Sequence, residues 1–169
     1  MPLLRNGHIA LDQWVAVGDD EALPEDAPII VSLARWRAER GSLVDEYRQI
    51  GIRLKGGDNA EEIANDLPYF DLVAIEFASI ADGRGYSTAR LLRDRYGYSG
   101  ELRAVGHIIR DIFPFLHRCG FDAVEARNDR DAKAWRESVG AINVAYQPAT
   151  DNRLPTTVLR HLPLAAAAE

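Results

Sequence analysis

The segment Ala81-Asp82-Gly83-Arg84-Gly85-Tyr86-Ser87-Thr88-Ala89-Arg90 carries the residue types most directly suited to binding chemistry. Gly83 and Gly85 permit a tight turn and a close backbone approach to a ligand. Ser87 is a favourable helix N-cap, and a helix start carries partial positive charge. Arg84 and Arg90 add guanidinium donors that fork onto oxyanions. Together they would suit a phosphate, sulfate, sulfite or carboxylate group. The same residues would equally compose an ordinary glycine turn, a helix cap and surface arginines. The spacing is not a dinucleotide fingerprint, because Thr88 stands where a third glycine is needed. Nor is it a P-loop, since no Gly-Lys-Ser/Thr follows.

Three side chains are candidates for proton transfer. Asp82 opens the glycine segment. His107 lies in the next loop, Gly106-His107-Ile108-Ile109-Arg110-Asp111, and an imidazole titrates near neutrality. A solvent-exposed loop histidine is the plainer account of it. Glu76 sits inside an apolar run, where a carboxylate is costly unless it finds a partner or a polar cleft. The four histidines, His8, His107, His117 and His161, form no close ligand pair with one another or with Cys119, so no zinc site is expected. A single cysteine also excludes an internal disulfide and an iron–sulfur set. No cofactor is implied by any motif.

The elements that must position these residues read as an α/β pattern. Asn6-Gly7, between Leu3-Leu4 and Ile9-Ala10-Leu11, predicts an N-terminal hairpin, and 18–28 reads as a surface loop. Strands are expected at 28–33, 50–54, 72–77, 102–105 and 121–126. Helices are expected at 34–48, 59–67, 87–96, before Gly120, and at 131–142. About five parallel strands alternating with helices follow, as an open sheet or part of a (βα) barrel. Arg53, Glu76, Arg103 and Glu125 each lie in an apolar strand, with alternating sign. Neighbouring strands in chain order would let them pair, whereas a doubly wound sheet would separate some of them. The alternation therefore favours sequential order and a charged site at the sheet's carboxyl end. Strand-end charges reaching solvent, or structural ion pairs, are the alternative.

The chain has 169 residues, which fits a single domain over 1–147, with 1–27 as hairpin and loop and 148–169 as a Pro/Ala-rich extension. Acids outnumber bases 26 to 20, for a net charge of −6, which argues against a nucleic-acid partner. No stretch reaches the roughly 20 apolar residues of a membrane span. The N-terminus lacks the layout of a signal peptide, so a cytoplasmic location is expected. Composition leaves the oligomeric state open.

Met1-Pro2-Leu3-Leu4-Arg5-Asn6-Gly7, Val31-Ser32-Leu33-Ala34-Arg35-Trp36, Asp82-Gly83-Arg84-Gly85-Tyr86-Ser87, Gly100-Glu101-Leu102-Arg103-Ala104-Val105-Gly106, Arg118-Cys119-Gly120-Phe121-Asp122-Ala123 and Ala145-Tyr146-Gln147-Pro148 recur together in this order. In this combination the chain resembles the bacterial domain of unknown function 934 family. The resemblance implies an oxidoreductase involved in sulfite reduction, a label that rests on association with sulfate-assimilation enzymes; the reading favoured for this chain adds a sulfite reductase component as partner. The resemblance implies no catalytic residues. Gly106-His107 and Arg110-Asp111-Ile112 depart from the family's usual Gly-Asp and Arg-Asp-Gln. The chain is accordingly expected to be an accessory protein that binds a sulfur oxyanion or phosphate through Gly83, Arg84, Gly85, Ser87 and Arg90. Two other readings stand beside it. One is a small flavin- or nicotinamide-dependent (βα) oxidoreductase. The other is a non-catalytic interaction domain.

Overall fold

Asn6 and Gly7 adopt φ values of 49° and 78°, the left-handed geometry of a two-residue hairpin turn. They join β1 (Leu3–Arg5) to β2 (His8–Ala10) in the computed structural model, which describes residues 2–126, 128, 130–141, 144–151 and 153–161. The hairpin does not precede the first parallel strand in space. It docks at the far end of the sheet, where Leu4 of β1 lies antiparallel to Val124 of β8 (Ala123–Glu125).

Between them run β3 (Val15–Ala16), β4 (Ile29–Ser32), β5 (Ile50–Leu54), β6 (Phe70–Phe77) and β7 (Glu101–Gly106). Strands β3 to β8 are parallel and stand in chain order, so the eight strands read β2-β1-β8-β7-β6-β5-β4-β3. The sheet curls into a half-barrel. Its helices are α1 (Leu33–Glu46), α2 (Arg84–Arg90) continuing into a π-helical turn Leu91–Arg95, α3 (Phe113–Arg118), α4 (Arg130–Ala141) and a short α5 (Thr156–Leu159). Right-handed crossovers that always step in one direction leave their helices on one face of a sheet. The main core lies there, where Ile29, Ile52, Val73, Ile75, Leu102 and Val124 meet Trp36, Leu92, Leu116 and Trp135. Among the described residues, no helix is long and apolar enough to cross a membrane.

The opposite face, inside the curl, is covered by no helix among the described residues. Ile30, Leu72, Ala74 and Val105 form a small apolar cluster there, and Trp14 packs against it. Trp14 belongs to a four-residue strap, Leu11 to Trp14, that carries the chain from β2 at one edge to β3 at the other. From Ala10 to Val15 an extended chain spans at most about 18 Å. Seven strand spacings laid flat would need about 34 Å. The strap can bridge the two edges only because the sheet bends.

Arg103 sits under this strap, fully buried. Its Nη1 donates to Asp12 Oδ2 at 2.8 Å and its Nε to Glu101 Oε1 at 2.9 Å, while Nη2 is buried without a partner. Glu101 also accepts from Arg5 at 2.8 Å. A chain of charges thus ties β1, β7 and the strap together. Arg53 and Glu76 do pair across adjacent strands as their alternation suggests, with Nε 3.2 Å from Oε2. Arg103 does not continue the series to Glu76 or Glu125, because Glu101 on its own strand and Asp12 on the strap take its donors.

Other boundaries differ from the sequence reading. The expected helix at 59–67 is two 3-10 turns, Ala60–Ile63 and Leu67–Tyr69. The Asn59–Glu62 capping box forms, but Pro68 has no N–H to donate to the Ala64 carbonyl in a continuous α-helix. Loop 18–28 is pinned rather than free, since the buried Arg35 donates Nη1 to the carbonyls of Gly18 and Glu21. In the C-terminal segment, Thr150 N–H and hydroxyl both bond the Arg118 carbonyl, and Ala145 pairs with Pro155. The expected end of α4 at Ile142 and residues 162–169 of the extension lie outside the described residues.

Asp12→Ala would leave the buried guanidinium with Glu101 as its one remaining carboxylate, whereas Arg103→Met would remove it and keep the volume. Urea denaturation is expected to show Asp12→Ala losing about 2 kcal/mol and Arg103→Met staying within about 1 kcal/mol of wild type.

Candidate functional site

The carboxyl ends of β4, β5 and β6 open into a cleft of about 500 Å³. Strand alternation sends Ser32, Arg53 and Glu76 into it from three adjacent strands, and Lys55 follows the end of β5. Residues Gly18 to Glu21 form the far wall. There the Ser32 hydroxyl donates to Asp19 Oδ1 at 2.5 Å, and Glu21 Oε2 accepts from the Gly18 N–H. Ser32 also caps α1, accepting from the Arg35 N–H. The Arg53–Glu76 pair forms the floor. Lys55 is exposed, and its ammonium makes no ion pair among the described residues.

The glycine segment lies beside this cleft. Arg84 grips Asp82 in a fork, Nε to Oδ1 at 2.8 Å and Nη2 to Oδ2 at 2.7 Å, and its N–H also reaches Oδ1. These bonds, with the guanidinium charge, hold the Asp82 carboxyl down at about 2. The loop after β5 touches the pair closely: a Cβ on Gly56 would come within 2.8 Å of Asp82 Oδ2 and 2.9 Å of Arg84 Nη2. The pair thus lies against the loop that carries Lys55, and the Arg84 side chain remains 66% exposed.

Phe77, the last residue of β6, organises the rest of the motif. Its ring lies where a Cβ on Gly85 would fall, 2.7 Å away, and Tyr86 packs edge-on at 5.1 Å. Its carbonyl accepts the His107 N–H at 2.9 Å and leaves only 2.6 Å to a Cβ on Gly106, whose φ is +94°. The two glycines at 85 and 106 are thus required by the approach of Phe77 itself.

Several expectations need correction. Ser87 is not a helix cap: α2 starts at Arg84 with Gly83 before it, so Ser87 stands inside the helix as an exposed residue. The Asp82–Arg84 fork begins the helix earlier than the polar residue suggested. A 3-10 turn at Arg110–Ile112 leads into α3, with Pro114 in its first turn. Of the candidates, the structure joins Asp82 to Arg84 and Glu76 to Arg53. His107 is exposed in the neighbouring loop. Arg90 faces away from the rim, pairs with Asp94 at 2.8 Å, and lines a different cavity. Ser32, Lys55 and Gly56 were not singled out from sequence. Their only signal was position, since each falls at or just after the end of a parallel strand.

Among the described residues, no group of three or more His, Cys, Asp or Glu is arranged to hold a metal ion. Residues 51–157 match the model of a family described as bacterial protein of unknown function (DUF934). No curated protein and no solved structure matches the chain.

Two measurements test this geometry. Carboxyl-detected NMR is expected to follow Asp82 titrating at about 2, and in Arg84→Gln the titration rises toward the ordinary 3.8. Because the folded value is the lower one, the pair's stabilisation is present above the unfolded value and is lost as pH falls toward 2. Gly106→Ala is expected to cost about 2 kcal/mol or more in chemical denaturation. Gly97→Ala, also at positive φ but facing open space, is expected to cost about 1 kcal/mol.

Proposed function

This chain belongs to the DUF934 family of bacterial proteins, and we propose that it serves assimilatory sulfite reduction as an accessory protein holding a small oxyanion at the carboxyl-end rim. What supports the reading is the cleft at the carboxyl ends of β4 to β6, lined by Arg53 and Lys55 together with Glu76, Asp19 and Glu21, with the Asp82–Arg84 fork lying against the neighbouring Gly56. Of the two cations in the cleft's lining, Arg53 is paired with Glu76, and Lys55 makes no ion pair among the described residues. An anion entering there finds a full charge at Lys55 and unused donors on Arg84, next to glycine backbone at Gly56 and Gly83. Sulfite, sulfate and phosphate have the matching size and charge. The carboxyl ends of parallel strands are also where α/β folds ordinarily take their ligands.

The reading as a flavin- or nicotinamide-dependent oxidoreductase draws less support. Asp82, one of its proton-transfer candidates, is ionised at neutral pH and gripped by Arg84, so it is a poor acid or base there. A sulfite reductase component remains the proposed partner.

Titration calorimetry with sulfite, sulfate and phosphate checks the proposal. Wild type is expected to bind at least one of them, with Lys55→Ala and Arg84→Ala each weakening it by roughly ten- to a hundredfold, the worth of a lost charge-assisted hydrogen bond. Undiminished binding by both variants would sink the assignment.

A further inference from the structure

A cavity lies elsewhere, on the outer helix side, between α2, α3 and the C-terminal segment. We propose that it is a second ligand site, for a planar aromatic ring carrying an anionic group, of the mononucleotide class. Its volume, about 680 Å³, falls within the usual range for small-molecule pockets.

The walls supply both halves of that chemistry. Phe115 turns outward from α3, 63% exposed, while its neighbours Phe113 and Leu116 are buried in the core. Tyr146, 72% exposed, comes from the C-terminal segment. Neither aromatic is needed by the packing of the fold, and both line this cavity. Rings of this kind bind planar ligands by stacking or edge contact. Around them stand three guanidiniums, Arg90, Arg118 and Arg153, against a single lining carboxylate, Asp111. Behind the wall, Arg118 and Arg153 share one buried carboxylate, Asp151, at 3.9 and 3.6 Å. Arginine forks suit a phosphate.

His117 and Cys119 add no charge at neutral pH. Burial and the nearby Arg153 push the His117 pKa down, so its ring is neutral. Burial pushes the Cys119 thiol up, so it stays protonated and offers a soft apolar contact rather than a nucleophile. The wall is also held in place: Arg118 Nη2 donates to the Gln147 carbonyl at 2.7 Å, and Thr150 bonds back to Arg118. A ligand thus meets a pocket already formed. This site is separate from the rim, and neither proposal depends on the other.

The test is calorimetry of the full chain with adenosine 5′-monophosphate and flavin mononucleotide, beside adenosine, riboflavin and inorganic phosphate. At least one mononucleotide is expected to bind, and its ring alone or phosphate alone to bind at least about tenfold more weakly. Arg90→Ala and Tyr146→Ala, both at exposed positions that the fold tolerates, are each expected to weaken the mononucleotide by about tenfold. Lys55→Ala is expected to leave it unchanged. Failure of both mononucleotides to bind would overturn the proposal, as would nucleoside binding equal to nucleotide binding. Retention of affinity in both pocket variants, or its loss in Lys55→Ala, would overturn it too, the last by placing the ligand at the rim.

Discussion

The strap from Leu11 to Trp14 is too short for a flat sheet, and much of the molecule follows from that. To let about 18 Å of chain join opposite edges, the eight strands must curl. Curling gives the sheet an outer face, which the helices cover, and an inner face, which the strap covers. Trp14 fills the middle of that inner face and Asp12 meets the one guanidinium buried beneath. The hairpin extends the curl past β8, so the chain's first strand and last strand are neighbours.

The curl also determines which residues can meet. Strands in strict chain order place Arg53 beside Glu76 and bring the ends of β4, β5 and β6 together. Loops that leave these ends converge on a common rim. Phe77 then fixes the loops after β6 and β7 at once, through its ring against Gly85 and Tyr86 and its carbonyl against Gly106 and His107. The glycine segment is conspicuous in the sequence partly for this packing reason. Its charged members, Asp82 and Arg84, hold each other and lean on Gly56.

Much of the architecture was legible because it rests on local signals. Asn6-Gly7 specifies a hairpin turn by backbone geometry alone, and the β-branched runs at 29–31 and 72–75 are buried parallel strands. The sign alternation pointed to sequential strand order because Arg53 and Glu76 do face each other. What escaped the sequence depended on distant partners. The two residues Val15 and Ala16 are too few to announce a strand, and pair only because the strap delivers them to β4. Ser87 looked like a cap by residue type, but the Asp82–Arg84 fork starts the helix a turn earlier. Lys55 and Arg103 are ordinary basic residues in sequence. One becomes an unmatched rim cation and the other a buried hub only through the curvature of the sheet.

The pairing of Leu3–Arg5 with Ala123–Glu125 has a kinetic consequence. The hairpin can form within microseconds once its few residues are free. It has no sheet to join until β8 exists, which is the last strand to leave the ribosome. Until then the inner surface and the outer side of β1 stay wet, and the strap has only one edge to hold. Contacts of such long sequence separation are slow to form and come late in folding. Docking of the hairpin on β8 is therefore expected late in the assembly of this half-barrel.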